Sequence, residues 1–404
     1  MNSHVLTEKS TQYIDILCRT IPGREVGSEG NRLATRFFEE ELSGLGWHPD
    51  KTEFEAMDWK DSGASLQCGE HSFQVLVGPY SNPFEGEAEL VAVSTLPELE
   101  QADAHGKILF LHGGIAREQL MPKNFVFYNP EEHQRIVALL EKSGARAILS
   151  ATGRNAALAG GVYPFPLIED GDFDIPSVYM TEEEGKRLLP FAGQWVRLVS
   201  RSERLYGKGY NVTACKGNPE GKRIVVSAHI DAKKGAPGAI DNATGVAVLL
   251  LLARLLKDYS GERLIELVAF NGEDYYAVPG QMAYLEANAG RFETMLLNIN
   301  IDGAGYFEGP SAFSPFDLPE EIERHMREVM AAFPAITEGA PWPQGDHSIF
   351  LQYGVPAIAV TSAWFLENME VQEVTHTPKD HPGIVNASRL PEIALALEAL
   401  IRKI

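Results

Sequence analysis

Cysteine is scarce in this sequence: Cys18, Cys68 and Cys215 are the only three in 404 residues, they lie far apart, and none belongs to a CxxC pair. An odd number of scattered thiols excludes a disulfide framework and points to buried core thiols. Long hydrophobic runs are missing too. The longest, residues 246–256, is broken by Arg254 and is far shorter than the roughly 20 residues that cross a bilayer. The opening MNSHVLTEKSTQYID lacks the basic start, apolar centre and small-residue cleavage site of a secretory leader, so the chain is expected to be cytoplasmic. Positive charge is also short: 35 Lys and Arg stand against 56 Asp and Glu, a net charge of -21, which repels nucleic acid and anionic membranes. There is no internal repeat and no low-complexity segment.

What remains is an ordinary globular composition, 44% hydrophobic and 23% charged, long enough for two units of about 150 residues or more. Leu33, Phe37, Phe38 and Leu42 recur with helical spacing, and Gly44 and Gly46 read as the stop. From residue 58 to residue 205 the texture changes to short apolar runs at 107–111, 145–150 and 175–180, divided by Gly, Pro and Asn. One helical stretch, 130–143, interrupts them. No His, Asp and Glu group with ligand spacing occurs there, so the segment reads as a non-catalytic module. From residue 211 strands and helices alternate: strands at 223–228, 264–270, 295–301 and 355–361, a nearly all-apolar helix at 243–256 and a closing amphipathic helix at 386–401. Continuous apolar strands of this kind predict an α/β sheet covered on both faces.

Ligands of open α/β sheets gather outside the carboxyl ends of the strands, and four strand ends here carry polar groups. SAHID places His229 and Asp231 two residues apart on extended chain, where Asp231 can orient the imidazole from behind. The turn GAPGAIDNATG brings Asp241 to the head of the apolar helix, where an aspartate either caps the helix or faces the site. AFNGED ends on Glu273 and Asp274, neighbours that point opposite ways and can serve different tasks. NINIDG ends on Asp302, and THTPKD offers His376 and Asp380. Each alone has an ordinary explanation as a cap or a satisfied polar group. Together, two histidines and three carboxylates without cysteine suit zinc at a catalytic site, and with one carboxylate shared they suffice for two ions. The remaining glutamate then serves as proton carrier.

These motifs, in the order SAHID, PGAIDNATG, NGED, NIDG, GDHSIF with GVPAIAV, and HTPKD, resemble the di-zinc peptidase family of bacterial leucyl aminopeptidases, glutamate carboxypeptidase, glutaminyl cyclase and the transferrin receptor. RTIPGREVGSEGNRLATRFFEEELSGLGW is similar to that family's N-terminal helical segment. GKILFLHGG, KSGARAILS and DIPSVYMTEEEGKRLL resemble a protease-associated domain. The resemblance implies a three-layer α/β zinc-exopeptidase fold with a mixed, largely parallel central sheet. It splits the catalytic domain into residues 1–57 and 206–404 around an insert at 58–205. It further implies that His229 and Asp302 bind one zinc, Asp274 and His376 the other, that Asp241 bridges them, and that Glu273 is the general acid/base with Asp231 behind His229. Asp346 and His347 would belong either to a buried network near the site or to plain structure. Two positions depart from the family pattern: Asp274 where glutamate is common, and Thr375 where several members carry an oxyanion-stabilising tyrosine, whose role would pass to Tyr275, Tyr276 or the zinc. The implied activity is hydrolysis of peptides by an aminopeptidase. Cyclisation, carboxypeptidase action and non-enzymatic binding are the alternatives on the same scaffold. Trp342, Trp364 and Phe365 line a side-chain pocket or belong to the core.

Overall fold

The computed structural model describes residues 3–21, 23–154 and 159–404. The chain divides into two compact units, Met1–Ala56 with Lys208–Ile404, and Met57–Gly207. The periodicity of residues 33–42 becomes one helix, α2 (Glu29–Gly44), and a helix not foreseen in the sequence, α1 (Ser3–Asp15), precedes it. Ser28 caps α2 by accepting the Asn31 N–H at 3.0 Å, and Gly46, at φ 75°, lets the chain reverse beyond it. The strand that follows, β1 (His48–Cys68), is 21 residues long and is not foreseen in the sequence, because its charged residues leave no continuous apolar run.

In the unit Met57–Gly207 come β2 (His71–Phe73), β3 (Leu76–Val77), β4 (Phe84–Val93), α3 (Leu96–Gln101), β5 (Ile108–Leu111), α4 (Glu131–Lys142), β6 (Ala147–Thr152), β7 (Ser177–Thr181) and α5 (Glu182–Leu188). Strands β4, β5, β6 and β7 are parallel neighbours in that order. Alternation along β5 sends Leu109 and Leu111 into a core with Ile136 and Leu140 of α4, and Ile108 and Phe110 into a second core with Leu149 and Val178. The 23-residue strand β8 (Trp195–Gly217) pairs antiparallel with β4 through residues 195–200.

The larger unit continues through β9 (Arg223–His229), α6 (Thr244–Leu255), β10 (Leu264–Phe270), α7 (Pro279–Ala287), β11 (Met295–Ile301), β12 (Ser311–Phe316), α8 (Glu320–Met330), β13 (Ile336–Glu338), α9 (His347–Leu351), β14 (Ala357–Ser362), α10 (Ala363–Asn368) and α11 (Arg389–Ile401). Its strand order is β13-β12-β14-β11-β9-β10-β8; the central four strands are parallel, while β12 and β8 run antiparallel to their inner neighbours. On one face Ile224, Val226 and Ala228 join a core with Leu6 and Tyr13 of α1, Phe38 and Leu42 of α2, Met326 of α8 and Ile393 and Leu397 of α11. The residues of α6 from Thr244 to Ala253 are all buried, which the all-apolar pattern requires.

The opposite face is less apolar than the continuous runs predict. Phe270 packs on Tyr284 of α7 and Phe350 of α9, with ring centroids 5.0 and 6.3 Å away. Beside them Ser227 donates to Asn300 at 2.9 Å, and Arg223 pairs with Glu266 at 2.7 Å in near-complete burial. These polar groups satisfy one another, so burial does not strand them. The closing helix starts at Arg389 rather than 386, because the Asn386 side chain accepts both the N–H and the hydroxyl of Ser388 and holds a turn there.

Candidate metal centre

The carboxyl ends of three of the central strands contribute one side chain each. His229 is the last residue of β9, Asp274 follows β10, and Asp302 follows β11. Asp241 lies in the loop before α6, with φ -118° and ψ 82°. The helix expected to start at 243 starts at Thr244, and Asp241 gives it no cap. His376 stands on the loop after α10, at φ 63°.

The structure brings these five together. Asp241 Oδ1 lies 3.1 Å from His229 Nε2, and its Oδ2 lies 3.1 Å from His376 Nε2. Asp302 Oδ1 is 3.6 Å from His229 Nε2, and Asp274 Oδ1 is 3.0 Å from His376 Nε2. One carboxylate thus turns a different oxygen to each imidazole, and each imidazole has one further carboxylate of its own. Single donor atoms of His229, Asp241 and Asp274 all fit within 4.8 Å of one another.

Asp231 stands behind His229 at ion-pair rather than hydrogen-bond distance. It is fully buried, but its Oδ1 is 3.6 Å from His229 Nδ1, beyond hydrogen-bond range. Its two oxygens instead accept the N–H groups of Gly272 at 2.9 Å and Asp274 at 3.0 Å, one on either side of Glu273. An adjacent loop needs those acceptors more than the imidazole does, since buried N–H groups must be paired. Asn271 is fixed in the same turn by a reciprocal amide pair with Asn31, at 2.7 and 2.9 Å, and by its N–H to Asn211 Oδ1 at 3.1 Å.

Do these residues fit a metal? His229 Nε2 and Asp274 Oδ2 are buried without a hydrogen-bond partner. Donor separations of 3.0 to 3.6 Å match ligands that share an ion at bonds of about 2.0 to 2.2 Å. Charge agrees: Asp231, Asp241, Glu273, Asp274 and Asp302 face two imidazoles. Burial would lower both histidines, but the carboxylates outweigh it and hold both well above the usual imidazole range. Burial drives Glu273 well above the usual carboxylate range; His229 opposes this, and Asp274, Asp302 and Asp346 reinforce it. Asp302 is raised by burial as well. A buried surplus of negative charge with orphaned donors is the condition a divalent cation relieves.

The two departures from the family pattern have visible consequences. The shorter arm of Asp274 reaches His376 nonetheless, because Asp231 holds its backbone N–H. Thr375 is bound to Gln372: its Oγ1 accepts the Gln372 amide at 2.7 Å, and the N–H groups of Val374 and Thr375 donate to Gln372 Oε1 at 2.7 and 3.0 Å. Tyr275 is buried and packs on Tyr276 at 4.6 Å. Asp346 accepts from Gln281 at 2.7 Å and is pushed up to about 7 by burial. His347 turns to the Trp342 carbonyl at 3.0 Å, between the Phe316 and Trp342 rings. Phe365 packs with Tyr306 and Ile240, next to Asp241, and Trp364 lies against Tyr306 at 4.7 Å. Sequence reasoning missed Arg24, Asn31, Asn271 and Gln372, whose buried polar side chains brace these loops.

Residues 211–401, which carry all five clustered side chains, match peptidase family M28. Residues 211–401 belong to this family. Among M28-type relatives, aminopeptidase YwaD of Bacillus subtilis is 23% identical over 304 residues, 72% of this chain and 61% of its own length. Carboxypeptidase Q of Bos taurus is 22% identical over 377 residues, 87% of this chain and 76% of its own. The solved aminopeptidase from Aneurinibacillus sp. strain AM-1 has a TM-score of 0.76 at 21% identity, covering 99% of this chain and 95% of that one. These likenesses establish the α/β fold with its mixed, mostly parallel sheet. The chain spans less than two thirds of the length of YwaD.

Proposed function

We propose that this M28 chain is a zinc-dependent aminopeptidase that hydrolyses the first peptide bond of substrates with a free N-terminus. The observation that carries the reading is Asp241, whose two oxygens face two histidines at 3.1 Å each. His229 and Asp302 would hold one ion, Asp274 and His376 the other, and Asp241 both. When bound, zinc supplies the Lewis acidity that polarises a carbonyl and lowers the pKa of water. Glu273 takes the proton of the attacking water and returns it to the leaving amine, a role matched by its raised pKa. Asp231 keeps Glu273 in place through the N–H groups on either side of it. The anionic side chains of the cluster attract a substrate's terminal ammonium. The aromatic group Tyr306, Trp364 and Phe365, which meets the site at Ile240, supports an apolar first side chain. We read the unit Met57–Gly207 as a protease-associated-like module, on the motifs it carries.

Purified protein with zinc should cleave aminoacyl chromogenic amides and leave their N-acetylated forms intact. Inactivity across a broad panel would sink the proposal, and release of the last residue from an N-acetylated peptide with a free carboxyl end would reassign the chain to carboxypeptidase-like action.

A further inference from the structure

Asp241 can share its oxygens between two histidines only if the loop that carries it cannot turn. Two buried side chains from distant parts of the sequence grip that loop. Arg24 is 2% exposed; its Nε donates to the Ile230 carbonyl at 2.9 Å, its Nη1 to Leu17 at 2.8 Å and Pro237 at 2.9 Å, and its Nη2 to Gly238 at 2.7 Å. Asp380 is fully buried; its Oδ1 accepts the Ile240 N–H at 2.7 Å, its Oδ2 the Asp241 N–H at 3.0 Å, and its own carbonyl the Ala239 N–H at 3.3 Å. The guanidinium therefore holds the carbonyls of 237 and 238, and the aspartate holds the amides of 239, 240 and 241. Between them Gly238 has φ 60°, and a Cβ there would lie 2.7 Å from Arg24 Nη2 and 2.6 Å from the Asp241 carbonyl.

A cation on carbonyls and an anion on amides each meet the pole they favour, so both charges are satisfied through the loop. Neither could be replaced by its nearest analogue. A lysine presents its donors from one point and cannot span four carbonyls. An asparagine at 380 offers one oxygen where two N–H groups need two. We propose that Arg24 and Asp380 are positioning residues, a split ion pair that fixes the 237–241 loop so that the Asp241 carboxylate is held in its bridging orientation. This rests on the two-ion reading above.

The test is cobalt binding to Arg24→Lys and Asp380→Asn, with wild type and Leu42→Ala as controls; Leu42 is a fully buried α2 residue that lowers stability without touching the loop. Affinity and stoichiometry come from titration, the magnetic coupling of the paired ions from electron paramagnetic resonance, and stability from thermal melts. Wild type and Leu42→Ala should bind two coupled ions per chain. Both loop variants should bind roughly 10- to 100-fold more weakly and lose the coupling. Two coupled ions with unchanged affinity in both loop variants overturn the proposal, as does an equal loss in Leu42→Ala at matched melting temperature. A wild type that binds fewer than two ions overturns the two-ion reading itself.

Discussion

In the proposed centre Glu273 carries the proton and Asp231 holds that glutamate in position, and single substitutions separate the two. Glu273→Gln keeps the size and removes the base, so turnover should fall by about 10²- to 10⁴-fold while zinc content, measured by elemental analysis, stays at the wild-type value. Asp231→Asn leaves one of two buried N–H groups, Gly272 or Asp274, facing an amide nitrogen. It should lower kcat more than it raises KM; an unchanged kcat would return Asp231 to a purely structural role. His347 gives a pH prediction. Burial lowers it to about 4, so it stays neutral in the fold while the unfolded imidazole takes a proton near pH 6.5. Its contribution is present above pH 6.5 and is lost as pH falls from 6.5 towards 4, up to roughly 3 kcal/mol. Urea denaturation at pH 7 and pH 4.5 should show a smaller pH-dependent loss for His347→Gln than for wild type.

At the scale of elements, the central helix and the aromatic corner lend themselves to test. Leu250 of α6 is fully buried within the main core, and Leu250→Ala should cost about 2 to 5 kcal/mol in denaturant unfolding. Trp364 and Phe365, at the start of α10, pack with Tyr306 and Ile240 beside Asp241. Trp364→Ala should raise KM for leucyl amides several-fold and leave alanyl amides nearly unchanged; equal effects on both would place Trp364 in the core alone. Elements were legible in the sequence where burial on both faces made them continuous and apolar, as in β9, β10, β11 and α6. The long strand β1 and the first two thirds of β8 were not, since their charged residues mimic loop composition. The metal-facing residues were legible because strand ends place them in a fixed order. Asp231 was legible in part: a spacing of two sets it behind His229, 3.6 Å from Nδ1, but does not show that backbone N–H groups claim its oxygens as well. Arg24, Asn31 and Gln372 left no signal, as their partners are backbone groups or amides set by tertiary contact.

For the whole molecule, three strand ends and two loops deliver the five clustered side chains to a single point, so the cluster exists only when the larger unit is complete. Among the described residues no helix is long and apolar enough to cross a membrane. The unit Met57–Gly207 has its own two apolar cores. The account's central claim is a two-zinc aminopeptidase centre bridged by Asp241, and its most direct measurement is a zinc titration of chelator-treated protein followed by hydrolysis of a leucyl chromogenic amide. It predicts activity that rises to a plateau at two zinc ions per chain and is abolished in Asp241→Ala. A plateau at one ion, or full activity in Asp241→Ala, would contradict it.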